Sequence, residues 1–77
     1  MEKIPVDDLP LAAFLRTKGF ILLEIRPNAL RPGLLTFIFQ GSAEIERETL
    51  RFQNRETRVE PKSYLLTLRQ LKGGLLR

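Results

Sequence analysis

Phe20-Ile21-Leu22-Leu23-Glu24-Ile25-Arg26 and Leu34-Leu35-Thr36-Phe37-Ile38-Phe39-Gln40 are two apolar runs held apart by Pro27-Asn28-Ala29-Leu30-Arg31-Pro32-Gly33. Strands of this length are rich in β-branched and aromatic residues, and turn residues between two such runs mark a hairpin. In the first run, Ile21, Leu23 and Ile25 alternate with Phe20, Leu22, Glu24 and Arg26. In the second, Leu35, Phe37 and Phe39 alternate with Leu34, Thr36 and Ile38. Period-two spacing places each set on its own face of a sheet. Both faces carry apolar residues, more than one solvated face requires. Phe20, Leu22, Leu34 and Ile38 are therefore the candidates for contact with a helix or with a second copy of the chain.

On the N-terminal side, Asp7 or Asp8 is a candidate N-cap and Pro10 falls in the first turn of a helix that carries Leu11, Phe14, Leu15 and Lys18. A carboxylate accepts from free helix N–H groups, and Pro has no N–H to waste there. Gly19 stops the helix in a left-handed residue, with Phe20 expected to fold back on Leu15. Pro5 to Asp8 reads as the lead-in to that helix. On the C-terminal side, Gly41-Ser42 ends the second strand and Ser42 caps a helix over Ala43–Asn54, whose apolar stripe is Ile45, Thr49 and Phe52. Glu44, Glu46 and Glu48 lie early in it and Arg51 and Arg55 late, in agreement with the helix dipole. Glu56–Glu60 is a polar link in which Val59 is a candidate short extended piece, the option for a short third strand. Pro61 opens a last helix with Tyr64, Leu65, Leu68 and Leu71 at helical spacing. Gly73-Gly74 ends it before a Leu75-Leu76-Arg77 tail. The expected fold is α+β: an antiparallel two-stranded hairpin packed by three helices, in the order helix, strand, strand, helix, helix.

Length and composition narrow the function. With 77 residues, the chain supports a single domain over residues 1–77, and domains of this size bury only about 60% of their unfolded surface. Cys, His and Trp are absent. That removes disulfides, zinc fingers, thiol nucleophiles, the Ser-His-Asp triad and the commonest transition-metal ligands. Ser42 and Ser63 have no base at a motif spacing, Gly33 and Gly41 belong to no phosphate loop, and Asp7-Asp8 is explained by capping. The expectation is a non-enzyme with no catalytic residues, cofactor or metal. A hydrophobic content of 43% with 29% charged residues fits a folded globular chain. No apolar run reaches the roughly 18 residues of a membrane span. The N-terminus lacks the basic start and apolar stretch of a secretory signal, so the expected location is cytoplasmic.

Charge supplies the one positive clue. Residues 1–46 carry five cations against six acids, whereas residues 47–77 carry eight against three. The net charge of +4 thus resides wholly in the C-terminal part. Arg47, Arg51 and Arg55 recur every four residues, the spacing of a stripe on one helix, and Arg58 and Lys62 follow. Such a row suits the phosphates of nucleic acid, with salt-dependent binding, or an acidic protein. The competing account is a solvated face steadied by local pairs such as Glu48 with Arg51. Phe37 and Phe39 alternate like a base-stacking platform but lack interleaved cations, which favours a core role. Tyr64 sits beside Lys62 but on the apolar side of its helix, and Gln53-Asn54 suits a helix end better than base reading.

Three stretches carry a resemblance: Leu11-Ala12-Ala13-Phe14-Leu15 through Lys18-Gly19-Phe20, then Leu35-Thr36-Phe37-Ile38-Phe39 leading to Glu44, then Arg58-Val59-Glu60-Pro61 ahead of Leu68-Arg69-Gln70-Leu71-Lys72. In these, and in its length, the chain resembles a family of small uncharacterised proteins of bacteria and their phages, classed as a domain of unknown function. The long Pro27–Gly33 connection departs from it. The resemblance implies no activity, cofactor or site residue, only a possible mobile-element setting. Two functions are expected in competition. One is an accessory nucleic-acid-binding module using Arg47, Arg51, Arg55, Arg58 and Lys62. The other is a protein-interaction module or homodimer, with a phage-type inhibitor as a variant of it.

Overall fold

Asp8 sets the first boundary. Its carboxylate accepts from the Leu11 N–H at 3.4 Å, and Pro10 occupies the first turn, so helix α1 runs Leu9–Thr17. It closes at Lys18 with the Phe20 N–H bonded to the Leu15 carbonyl and the Gly19 N–H to the Arg16 carbonyl, both at 3.1 Å. Gly19 takes φ +99°, which its missing Cβ permits. Phe20 then packs back on the core, as its position predicts. The computed structural model describes residues 2–74. The expected Leu75-Leu76-Arg77 tail lies outside the described residues.

Three strands form one antiparallel sheet: β1 (Lys3–Val6), β2 (Leu22–Pro27) and β3 (Leu35–Gln40), with β3 in the middle. Helices α2 (Ala43–Gln53) and α3 (Pro61–Lys72) follow. The α+β class, the β2–β3 hairpin and the three helices are as expected, but the order is strand, helix, strand, strand, helix, helix. The third strand is the N-terminal segment, not Val59, which lies in the irregular link and packs against the core. Pro5 made that segment look like a lead-in. The ladder explains why it is tolerated: the Gly41 N–H donates to the Glu2 carbonyl at 2.8 Å, and Lys3 stands opposite Gln40 in register. Backbone groups alternate in direction along a strand, so Pro5 aims its missing N–H at the free edge. Ile4 and Val6 meanwhile turn inward to the core.

That junction leaves no room for a side chain at Gly41. A Cβ there would lie 2.9 Å from the Glu2 Cβ and 3.0 Å from its carbonyl oxygen. Gly41→Ala should cost about 1–3 kcal/mol by forcing β1 away from β3. Urea denaturation checks the cost, and amide exchange should accelerate first in Ile4 and Val6; unchanged values at both would refute the close approach.

Strict alternation fails in β2. Leu22 pairs with Phe39 but Glu24 with Ile38, so Leu23 is an extra residue opposite a single step of β3. This bulge lets Leu22 and Ile25 both face the core while Leu23 turns out. Glu24 and Arg26 fall on the outer face and pair at 2.6 Å, which holds the Glu24 carboxyl below its ordinary range. The connection after β2 is closed despite its length. Asn28 Oδ1 accepts from the N–H groups of Leu30 (2.9 Å) and Arg31 (3.0 Å), and the Asn28 N–H donates to the Leu34 carbonyl at 2.9 Å. Asn is favoured there because its side chain mimics a backbone turn.

The core lies between the sheet and α1. Leu11, Ala12, Ala13, Phe14 and Leu15 are all buried, so α1 is covered around its circumference by the sheet, α2 and α3. Phe37 and Phe39 rise from β3 to meet it, with Ile45 from α2 and Leu71 from α3. Phe52 docks α2 against α1, its ring centroid 5.0 Å from that of Phe14. The Tyr64 hydroxyl donates to the Pro10 carbonyl at 3.2 Å, tying α3 to the start of α1. Partial burial pushes the Tyr64 phenol above its ordinary range, with the Asp8 charge adding to the effect. Among the described residues no helix is long and apolar enough to cross a membrane.

Candidate functional site

Helix α2 turns Ile45, Thr49 and Phe52 inward, as its stripe requires. Arg47 and Arg51 then project from the exposed side, one turn apart. Ser42 occupies the N-cap position without a side-chain bond to the helix, and Glu44 and Glu46 stand in the first turn where the dipole favours acids. Glu48 accepts from Arg51 at 3.3 Å. Glu44 lies three residues before Arg47, within helical reach, so this side of α2 carries acids among its arginines.

Arg55 is placed differently from its spacing. The helix ends at Gln53, with Asn54 as C-cap, so Arg55 is not a third rung of a straight stripe. It occupies the left-handed region at φ +59°, alone in this among the described non-glycine residues. The Arg55 N–H donates to the Phe52 carbonyl at 3.1 Å and the Glu56 N–H to the Arg51 carbonyl at 2.9 Å. This is the same helix closure that Gly19 makes for α1, with an arginine where glycine is preferred. A non-glycine residue pays roughly 1–2 kcal/mol there.

The chain then runs through an exposed Arg58 to Lys62 in the first turn of α3. Glu60 caps that helix, its Oε2 accepting from the Ser63 N–H at 2.6 Å, and this backbone bond holds its carboxyl below the ordinary range. Arg47, Arg51, Arg55, Arg58 and Lys62 are all exposed. Of these five, Arg51 alone makes an ion pair with another described residue. The five follow one another along the end of α2, the link and the start of α3.

The other candidates separate. Phe37 and Phe39 are buried and give no stacking platform. Gln53 and Asn54 end α2, and Tyr64 is spent on docking α3. Asp8 caps α1 while Asp7 accepts from the Thr36 hydroxyl at 2.7 Å; no group of three potential metal-ligating residues occurs among the described residues. Phe20, Leu22, Leu34 and Ile38 do not share a face. Leu22 is in the core and Phe20 packs on it, drawn inward by the bulge and the α1 closure. Ile38 is buried on the outer face of β3, between Pro5 and Glu24 in register, and Leu34 is exposed at the end of the connection.

Two features are absent from the sequence reading. One is an apolar groove of about 530 Å³ between β1 and α2, lined by Ile4, Val6, Leu11, Ile45 and Leu50. Asp7, Asp8 and Glu46 stand at the same groove. The other is Leu66, exposed on α3 beside Leu65, which the helical spacing grouped with Tyr64, Leu68 and Leu71 but which is exposed too, because the core reaches only the side of α3 that carries those three. Their signal is present in the spacing: Leu50 falls off the Ile45–Thr49–Phe52 stripe, and Leu66 falls off the Tyr64–Leu68–Leu71 stripe. No curated protein and no solved structure gives a significant match to the chain. The model of one family, described as Domain of unknown function (DUF5659), matches residues 1–77, and the chain belongs to that family.

Proposed function

We propose that this domain is a non-catalytic binding module that contacts the phosphates of nucleic acid through Arg47, Arg51, Arg55, Arg58 and Lys62. The observation that carries it is Arg55. A cation held in a left-handed conformation, at a position where glycine closes a helix at lower cost, is strain retained beside a run of exposed cations. Guanidinium groups suit phosphate oxygens because their planar fork donates two bonds at once. The acids on α2 limit the field of this row, so binding should rest on close phosphate contacts rather than on long-range attraction.

Arg55→Gly separates this function from a structural one. Relief of the left-handed strain should raise stability by about 1 kcal/mol in urea denaturation. The same variant should bind single- or double-stranded DNA or RNA more weakly, by roughly eightfold for one lost phosphate contact near 0.1 M salt. Higher stability with unchanged affinity would remove Arg55 from the interface. A second reading, protein interaction, is favoured by the β1–α2 groove.

A further inference from the structure

Helix α3 has two apolar sides. Tyr64, Leu68 and Leu71 pack on the core. Leu65 and Leu66 do not, and remain 51% and 57% exposed. Lys62 and Arg69 are exposed as well. Lys62, Leu65, Leu66 and Arg69 are spaced i, i+3, i+4, i+7 and so share one helical face. Single exposed leucines are ordinary, but an adjacent pair bracketed by cations is the pattern of a helix laid against an apolar groove with an acidic rim.

The same chain carries such a groove. Its volume of about 530 Å³ falls in the range of ligand sites, its wall includes Leu50 at 59% exposure, and its acids are Asp7, Asp8 and Glu46. Strand addition at its β1 side is blunted, because Pro5 offers no N–H on the free edge. The occupant must therefore dock by side chains. We propose that the domain self-associates head to tail, with the Leu65–Leu66 face of one copy seated in the β1–α2 groove of a second copy. Lys62 and Arg69 then meet Asp7, Asp8 and Glu46 across the contact. The charge pattern selects this occupant: the groove is acidic in a chain of net charge +4, and the leucine face is basic. Since groove and face are different surfaces, each copy presents one of each, and the contact is heterologous. It is small beside the roughly 1,600 Å² of a standard interface, so it is weak and grows with concentration. This surface is independent of the nucleic-acid proposal except at Lys62, which the test leaves unchanged.

Sedimentation velocity from low micromolar to near-millimolar chain concentration reads it. The wild-type mass should rise above that of one chain, and added salt should lower it again. Leu65→Ser/Leu66→Ser removes the face, and Glu46→Lys/Leu50→Lys reverses the groove; all four positions are exposed, and circular dichroism checks that both variants fold. Each variant alone should stay monomeric. Their equimolar mixture, with one intact face and one intact groove, should form a species of two copies and no larger. A monomeric wild type, a variant that associates as the wild type does, or a mixture that remains monomeric would each overturn the proposal.

Discussion

Phe14→Ala leaves the chain barely stable at 25 °C. Phe14 is 1% exposed, stacks at a tilt on Phe52 and lies under the Lys18 ammonium, 5.8 Å from the ring centre. Truncating a buried Phe costs about 3–5 kcal/mol through lost transfer energy and the cavity left behind. Collapse cannot fill that cavity, because the neighbouring Ala12, Ala13 and Leu15 are fixed on the same buried helix and the sheet presents rigid Phe37 and Phe39. At roughly 0.05–0.15 kcal/mol per residue, a chain of 77 residues has about 4–12 kcal/mol in total, and a small domain belongs near the lower end. Near-ultraviolet circular dichroism and urea titration read the outcome. A cooperative transition within about 1 kcal/mol of wild type would mean that Phe14 is not the centre of the core.

Joint replacement of Arg47, Arg51 and Arg55 by Ala has the largest expected effect on binding. If each cation neutralises one phosphate, each lost contact weakens affinity about eightfold at 0.1 M salt, and the three together about 500-fold. Folding should survive, since the three are exposed and the Glu48–Arg51 pair contributes well under about 1 kcal/mol. The Arg→Lys triple variant separates charge from geometry. It should recover most of the salt dependence while losing what two-pronged guanidinium contacts add. Equal affinity of the Ala variant and the wild type would leave the arginines as a solvated face.

Much of this fold is legible locally. Asp8, Gly19, Ser42 and Pro61 mark helix ends within a residue or two, because caps and left-handed closures depend on near neighbours. The inward set Leu35, Phe37 and Phe39 follows from period two. β1 was not legible, because four residues with a central Pro have no local strand signal and pair with β3 more than thirty positions away. The Leu23 bulge was not legible either: it is a register choice between two strands, made so that Leu22 and Ile25 can both be buried. At the candidate site, spacing found the arginine row but set Arg55 in line with Arg47 and Arg51 as a third rung of one stripe. The left-handed turn there has no glycine to announce it. The β1–α2 groove depended on the missing strand, and so could not be seen before it.

The salt dependence of wild-type binding to a short DNA duplex tests the central claim most directly. Five phosphate contacts give a slope of log K against log salt concentration near −4.5, equivalent to about a 500-fold loss between 50 and 200 mM. The account predicts that slope for the wild type, falling to about −1.8 when Arg47, Arg51 and Arg55 are Ala. A slope near zero, or no binding to duplex or single strand at low salt, would contradict it.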